Sequence, residues 1–177
     1  DVLDLLEEMS KKVYLWVELG LQTINDKTAE NFNRGYKFEV FKEGIKKLQD
    51  RGIEVVVHSI FGLPGETKED MLRTIDYIAH SGAQGIKFHL LHLMKNTKMA
   101  EQYYNGEFEL LSEEDYIDLI CQGISMIPEE MVVHRLTGDA PRATLIGPMW
   151  SLKKWEVLNA IDKALVDRDI WQGKNFK

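Results

Sequence analysis

A chain of 177 residues that is 44% hydrophobic and 10% aromatic has the length and apolar content for one domain with a substantial core, which excludes a disordered polypeptide. Its 22 basic and 29 acidic side chains leave a net charge of −7, which works against a general electrostatic grip on nucleic-acid phosphates. No apolar run approaches the roughly 20 residues a bilayer requires, and no basic segment precedes an apolar stretch, so no membrane partner and a cytoplasmic setting are expected.

Asp1 to Met9 reads as one helix, with Leu3 and Leu6 inward and Val2 a further candidate for that face. The chain opens on Asp1 rather than Met, already inside a helical pattern, which suggests a cut through something larger. Val13 to Leu19 is β-rich, and Phe38, Phe41, Ile45 and Leu48 recur at helical spacing over Phe38 to Gln49. Glu54 to Phe61 is again a strand, which completes a βαβ unit.

The turn Gly62-Leu63-Pro64-Gly65-Glu66-Thr67 follows directly. Its two glycines accept positive φ, its proline stiffens the bend, and Thr67 can cap the helix that carries Met71, Ile75 and Ile78 to about Ser81-Gly82. Gly85 to Leu93 predicts a third strand, Ser112 an N-cap for a helix through Met126, and Met131 to Leu136 a fourth strand. The single cysteine, Cys121, lies in that helix among Tyr116, Ile120, Ile124 and Ile127, where a buried structural thiol is expected. Leu152, Trp155, Leu158, Ile161 and Leu165 outline a last amphipathic helix.

The strands are apolar on nearly every position, which predicts parallel pairing with helices on both faces, as an open sheet or part of a barrel. No linker divides the chain, so residues 1–177 form one domain. In such architectures the loops after the strands share one rim, here Glu18 to Gln22, Ser59 to Thr67, His89 to Thr97 and Thr137 to Arg142.

Several residues on that rim are candidates for chemistry. Glu18 shares a strand face with Tyr14 and Trp16, so its carboxylate must pair with a cation or accept ligand hydroxyls. Gln22 offers a donor and an acceptor, either to a ligand or as a loop cap. Arg34 could grip a carboxylate or phosphate, or simply sit in solvent at a helix entrance. His58 must find a partner on its strand face beside Val56 and Ile60, as a core histidine or a functional one. Lys87 and His89 point to one side of the third strand, with His92 beyond it; their spacing does not converge as a metal centre, and His89 is a candidate to meet a substrate. His134 and Arg135 should occupy opposite faces of the fourth strand, and Asp139 and Arg142 in the following turn could bridge each other or meet a substrate. Phosphate-loop, nucleophile-elbow and His-Glu-x-x-His patterns are absent.

In their order along the chain, Glu18-Leu19-Gly20-Leu21-Gln22, Asn33-Arg34-Gly35 and His58 to Thr67 resemble successive segments of the radical S-adenosylmethionine (SAM) superfamily. Both the coproporphyrinogen oxidase-like and the elongator catalytic subunit-like branches share this order. His89 to Thr97, Arg135 to Pro141 and Gln172-Gly173-Lys174 look like an uncharacterised bacterial family within the elongator-like branch. The resemblance implies an α/β fold of parallel βα units forming the second half of a partial TIM-like barrel. That core would span about residues 10–110, followed by a βα extension over about 111–177 that ends in helix.

It further implies that Glu18 contacts the SAM ribose, that Gln22 and Arg34 reach its methionine part, and that Ile60, Gly62 and Leu63 border adenine. His58 stands at a ribose or methionine contact. The Cys-x-x-x-Cys-x-x-Cys pattern that holds the [4Fe-4S] cluster in the family is absent from this chain. The reading is thus a radical SAM iron–sulfur oxidoreductase fragment, inactive alone, with the cluster belonging to a longer parent and the substrate open. Its rivals are a non-catalytic nucleoside-binding α/β module and an unrelated metal-dependent hydrolase using His58, His89 and Asp139. The first strand would be an exposed edge, for which a homodimer is expected.

Overall fold

The computed structural model describes residues 1–177. Helix α1 (Val2–Ser10) leads into strand β1 (Trp16–Gln22), followed by α2 (Asp26–Asn31), α3 (Phe38–Gln49), β2 (Glu54–Phe61), α4 (Lys68–His80) and β3 (Gly85–Leu90). The second half comprises β4 (Leu93–Met94), α5 (Lys98–Tyr104), α6 (Glu113–Met126), β5 (Val132–Arg135), β6 (Leu145–Gly147), a 3₁₀ turn (Met149–Leu152) and α7 (Lys154–Asp167). No helix is long and apolar enough to cross a membrane.

Strands β1, β2, β3 and β5 form a parallel sheet in that order, and β4 and β6 form a separate antiparallel pair near its C-terminal rim. Because each strand adds beside its predecessor, right-handed crossovers put the intervening helices on a single face. The core is accordingly one-sided. Val55, Val57, Phe61, Ile86, Phe88 and Leu90 from the sheet pack with Phe41, Ile45, Ile75, Ile78, Leu119 and Ile120 from the helices. The expectation of helices on both faces is corrected: the other face carries Glu18, Val56, His58, Ile60, Lys87 and His89 and stays outside that core. This is the arrangement of a partial TIM-like barrel, with its inner face uncovered.

Local signals work as their chemistry dictates. Thr67 caps α4 in a reciprocal capping box with Asp70, and Ser112 caps α6 by accepting from the Asp115 amide. β1 starts three residues later than its apolar pattern suggests, because Lys12 and Val13 still donate to the Met9 carbonyl and finish the turn after α1. β3 ends at Leu90, since Leu93 turns away to pair with β6. In α1, Leu3 and Leu6 pack on the core while Val2 is exposed. In α7 the inward stripe is Val157–Ile161–Leu165, which leaves Trp155 on the far side and 77% exposed. Cys121 is fully buried in α6, and burial pushes its thiol pKa up. The tail returns to the domain through Gln172, whose Nε2 donates to the carbonyls of Pro128 and Met131, both at 2.7 Å.

Candidate functional site

The uncovered face is a cup with a floor and a rim. At its floor Trp16 of β1 and His134 of β5 approach to 5.9 Å between ring centroids, although two strands lie between them. Only a strongly curled sheet brings opposite edges so close. Gly85 makes room for this contact, since a Cβ there would lie 2.7 Å from the His134 ring. A register shift between Ile86 and Lys87 sets Arg135 opposite Lys87, so His134 and Arg135 both serve the open side. The expectation of opposite faces is thereby corrected, because a bulge re-aims a side chain that strict alternation would send into the core.

Above the floor Glu18 is the hub. Its Oε2 accepts from Lys87 Nζ at 2.5 Å and lies 2.8 Å from His58 Nε2. A carboxylate only accepts, so the His58 proton sits on Nε2. Its Oε1 receives only a long 3.4 Å contact from Trp16 Nε1, so one carboxylate oxygen is largely free toward the cup. The Lys87 hydrogen bond, against the opposing effect of burial, holds the Glu18 pKa down at about 2, and His58 and Trp16 add to the shift. The sequence required either a cation or ligand hydroxyls for this carboxylate, and the identity of Lys87, 69 residues away, is a matter of tertiary register.

Higher in the cup, Ile60 and His89 are register partners, and the His58 and His89 rings lie 5.1 Å apart. His89 and His92 make no side-chain hydrogen bond, and the Nε2 of each is buried without a partner. Burial, followed by electrostatic repulsion from His58, Arg135, Lys87 and His92, lowers the His89 pKa to about 4. Burial also lowers that of His92.

At the rim, Gln22 adopts φ 60° and folds over Gly20, where a Cβ would collide with Gln22 Nε2 at 2.4 Å. Its Oε1 is buried and unpartnered. Both turn glycines have the positive φ read from the sequence, 89° at Gly62 and 85° at Gly65. Gly62 is nonetheless covered by the chain itself, as a Cβ would lie 3.1 Å from Leu111 Cδ1, and its N–H meets Met71 Sδ at 3.2 Å. Leu63 is buried beside it. Glu66 of the same turn accepts from the Thr23 hydroxyl and so ties the turn after β2 to the loop after β1. Burial raises the Glu66 pKa. The sequence reading singled out the turn's glycines and Thr67 but missed this tie, which no local pattern announces.

Arg34 is not on the cup. Its side chain is 2% exposed and its donors reach the carbonyls of Leu21 at 2.8 Å, Thr23 at 2.6 Å and Tyr36 at 3.0 Å, with Asp26 Oδ1 at 3.0 Å. It clamps the turn that presents Gln22. Asp139 and Arg142 do not bridge: Lys154 of α7 takes both Asp139 oxygens at 2.9 and 3.0 Å, while Arg142 is exposed and unpaired. The Lys154 hydrogen bond lowers the Asp139 pKa.

Comparison with known proteins places this geometry. The radical SAM superfamily model matches residues 1–78, and the radical SAM C-terminal domain model matches residues 83–167. The chain belongs to the radical SAM superfamily. Its first 78 residues carry the Glu18–His58 half of the cup, and the C-terminal-domain match supplies Lys87, His89 and β5. The chain is 50% identical to the uncharacterized protein YtqA of Bacillus subtilis over 100% of its own length and 55% of that relative. It is 36% identical to YhcC of Escherichia coli K12 over 96% of its length and 55% of that protein. It thus spans about half the length of these relatives. At 26% identity, over 80% of this chain and 27% of the relative, it also resembles a tRNA uridine(34) acetyltransferase of Methanocaldococcus jannaschii. The structure of the archaeal Methanocaldococcus infernus Elp3 with an N-terminal deletion superposes with a TM-score of 0.77 at 22% identity, covering 94% of this chain and 39% of that one, which confirms the elongator-like fold.

Proposed function

We propose that this chain is the SAM-holding part of a radical SAM iron–sulfur oxidoreductase and that the cup is where the cofactor lies. The observation that carries the reading is the free Oε1 of Glu18. This ionised acceptor is fixed by Lys87 and His58 on the inner face of a radical SAM fold, where it can take ribose hydroxyls. The buried, unpartnered Oε1 of Gln22 supplies a second acceptor at the rim for the methionine part. Ile60, part-exposed on the open face, supplies apolar surface toward adenine, whereas Gly62 and Leu63 are covered by the chain itself and act by shaping the turn beside it. Arg34 acts by holding the Leu21–Thr23 backbone that displays Gln22.

In the superfamily, SAM bound to a reduced cluster supplies a 5′-deoxyadenosyl radical that abstracts hydrogen from a substrate. The present residues do not fit the cluster itself: the one cysteine is fully buried in α6 on the helical side of the sheet, and a [4Fe-4S] centre needs several thiolates. No chemical step is therefore assigned to this chain alone, and its role is to bind and orient. The metal-dependent hydrolase alternative loses support, because no three His, Cys, Asp or Glu side chains converge to hold an ion. We include in the proposal a cytoplasmic setting and pairing of two copies through the edge strand β1, which is preceded by the exposed Val13 and Tyr14.

Calorimetric titration of SAM into the chain tests the binding role. Saturable binding that Glu18→Ala weakens is expected, and failure of the unaltered chain to bind SAM would refute it. Formation of 5′-deoxyadenosine by the longer protein, reconstituted anaerobically with iron and sulfide, separates the enzyme from a nucleoside-binding module.

A further inference from the structure

Of the five histidines in the chain, only His80 lies away from the cup. His58 and His134 are accounted for by Glu18 and the Trp16 floor, whereas His89 and His92 have no assigned partner. Two buried ring nitrogens without hydrogen bonds are costly in a folded chain unless something else meets them.

Gly138 brings these two rings to one place. A Cβ on it would lie 2.8 Å from His92 Cε1, 3.2 Å from His92 Nδ1 and 4.0 Å from His89 Nδ1, so the loop after β5 can rest against both imidazoles only because it is bare there. The same strand delivers Arg135, which is set opposite Lys87 by the register shift and makes no hydrogen bond within the chain. Its one ionic neighbour is Asp139 at 3.9 Å.

Two cations stand around the pair, Lys87 from β3 and Arg135 from β5, and the His58 ring faces His89 from β2. Glu18 is already engaged by Lys87 and His58, and Asp139, which faces His92, is held by Lys154. The local field thus favours negative charge, and the available groups are imidazole N–H donors and a guanidinium fork. His92 also borders a cavity of ≈ 300 Å³ with Asn33, Leu91, Met94, Met99 and Gln102, which gives the remainder of a ligand a place to go.

We propose that His89, His92 and Arg135 form a receptor for an oxyanion, either a carboxylate or a phosphate, borne by the molecule this protein acts on. Calling that molecule the substrate rests on the proposed function; the anion site itself does not. It sits above Glu18 in the cup, on residues separate from those assigned to SAM.

Imidazole-selective NMR of the 177-residue chain, titrated with inorganic phosphate, acetate or chloride at matched ionic strength, tests it. Saturable shifts of the His89 and His92 signals with phosphate or acetate, and not with chloride, are expected, with exposed His80 as the internal control. The stronger of the two anions identifies the group. Arg135→Gln, a change at a half-exposed side chain that leaves the core intact, should weaken the response by about tenfold, the effect of one charge-assisted hydrogen bond. Equal shifts for all three anions, shifts confined to His80, or an unchanged response in Arg135→Gln would overturn the proposal. A parallel SAM titration keeps the two readings apart: anion binding without SAM binding sinks the cofactor role, and SAM binding without anion binding sinks the receptor.

Discussion

Replacing Arg34 by alanine distinguishes a clamp from a ligand contact. Its guanidinium, at 2% exposure, satisfies the carbonyls of Leu21 and Thr23, and both residues are themselves fully buried. Each carbonyl left bare costs about 1–3 kcal/mol, and the loss of the Asp26 pairing adds less because that carboxylate is partly exposed. The expected loss is about 3–5 kcal/mol, a large share of the roughly 5–15 kcal/mol that stabilises a typical domain. Arg34→Lys should recover only part of it, because an ammonium cannot span Leu21, Thr23, Tyr36 and Asp26 at once. Urea unfolding followed by far-ultraviolet circular dichroism reads the midpoint and slope. A loss below about 1 kcal/mol, the size of a single ordinary hydrogen bond, would refute the clamp. So would unchanged stability with abolished SAM binding, which would make Arg34 a direct contact with the cofactor.

Removing the Lys87 ammonium by Lys87→Met should move the Glu18 pKa from about 2 toward its ordinary 4.5, as read by carboxyl carbon NMR. No movement would mean that Lys87 does not hold the carboxylate. In the unaltered chain, folding stability from Glu18 is present above 4.5 and lost as pH falls toward 2, since its folded pKa is depressed. His89 acts at higher pH: its pKa falls from 6.5 to about 4, so the unfolded chain binds more protons in that window and stability falls on acidification from 6.5 to 4. His89→Gln should flatten that slope in denaturation midpoints, and an unchanged slope would show that other groups set it. Pairing through β1 predicts a concentration-dependent dimer in sedimentation velocity that Val13→Lys with Tyr14→Lys dissolves; a monomer at all concentrations would end that part of the proposal.

Much of the scaffold was legible because its signals are local. Phe38–Gln49 and Glu54–Phe61 fall where side-chain periodicity put them, and Thr67 and Ser112 cap their helices through their own hydroxyls. The succession of strand, Gln22, Arg34 and glycine turn also carried the superfamily resemblance that the family models bear out. Other features depended on long-range geometry. The strands' apolar composition is the same whether helices cover one face or two, and only the β1-β2-β3-β5 order leaves the inner face open. Arg34 resembles a ligand contact in one dimension and is a buried clamp in three. Likewise, Glu18 announced by its type that it needed a cation or ligand hydroxyls, but sheet register chose Lys87 and His58, and a single bulge in β5 swung Arg135 to their side. Residue chemistry states what each group requires; the curl and register of the sheet determine which groups meet, because those follow from pairing across tens of residues that no local pattern encodes.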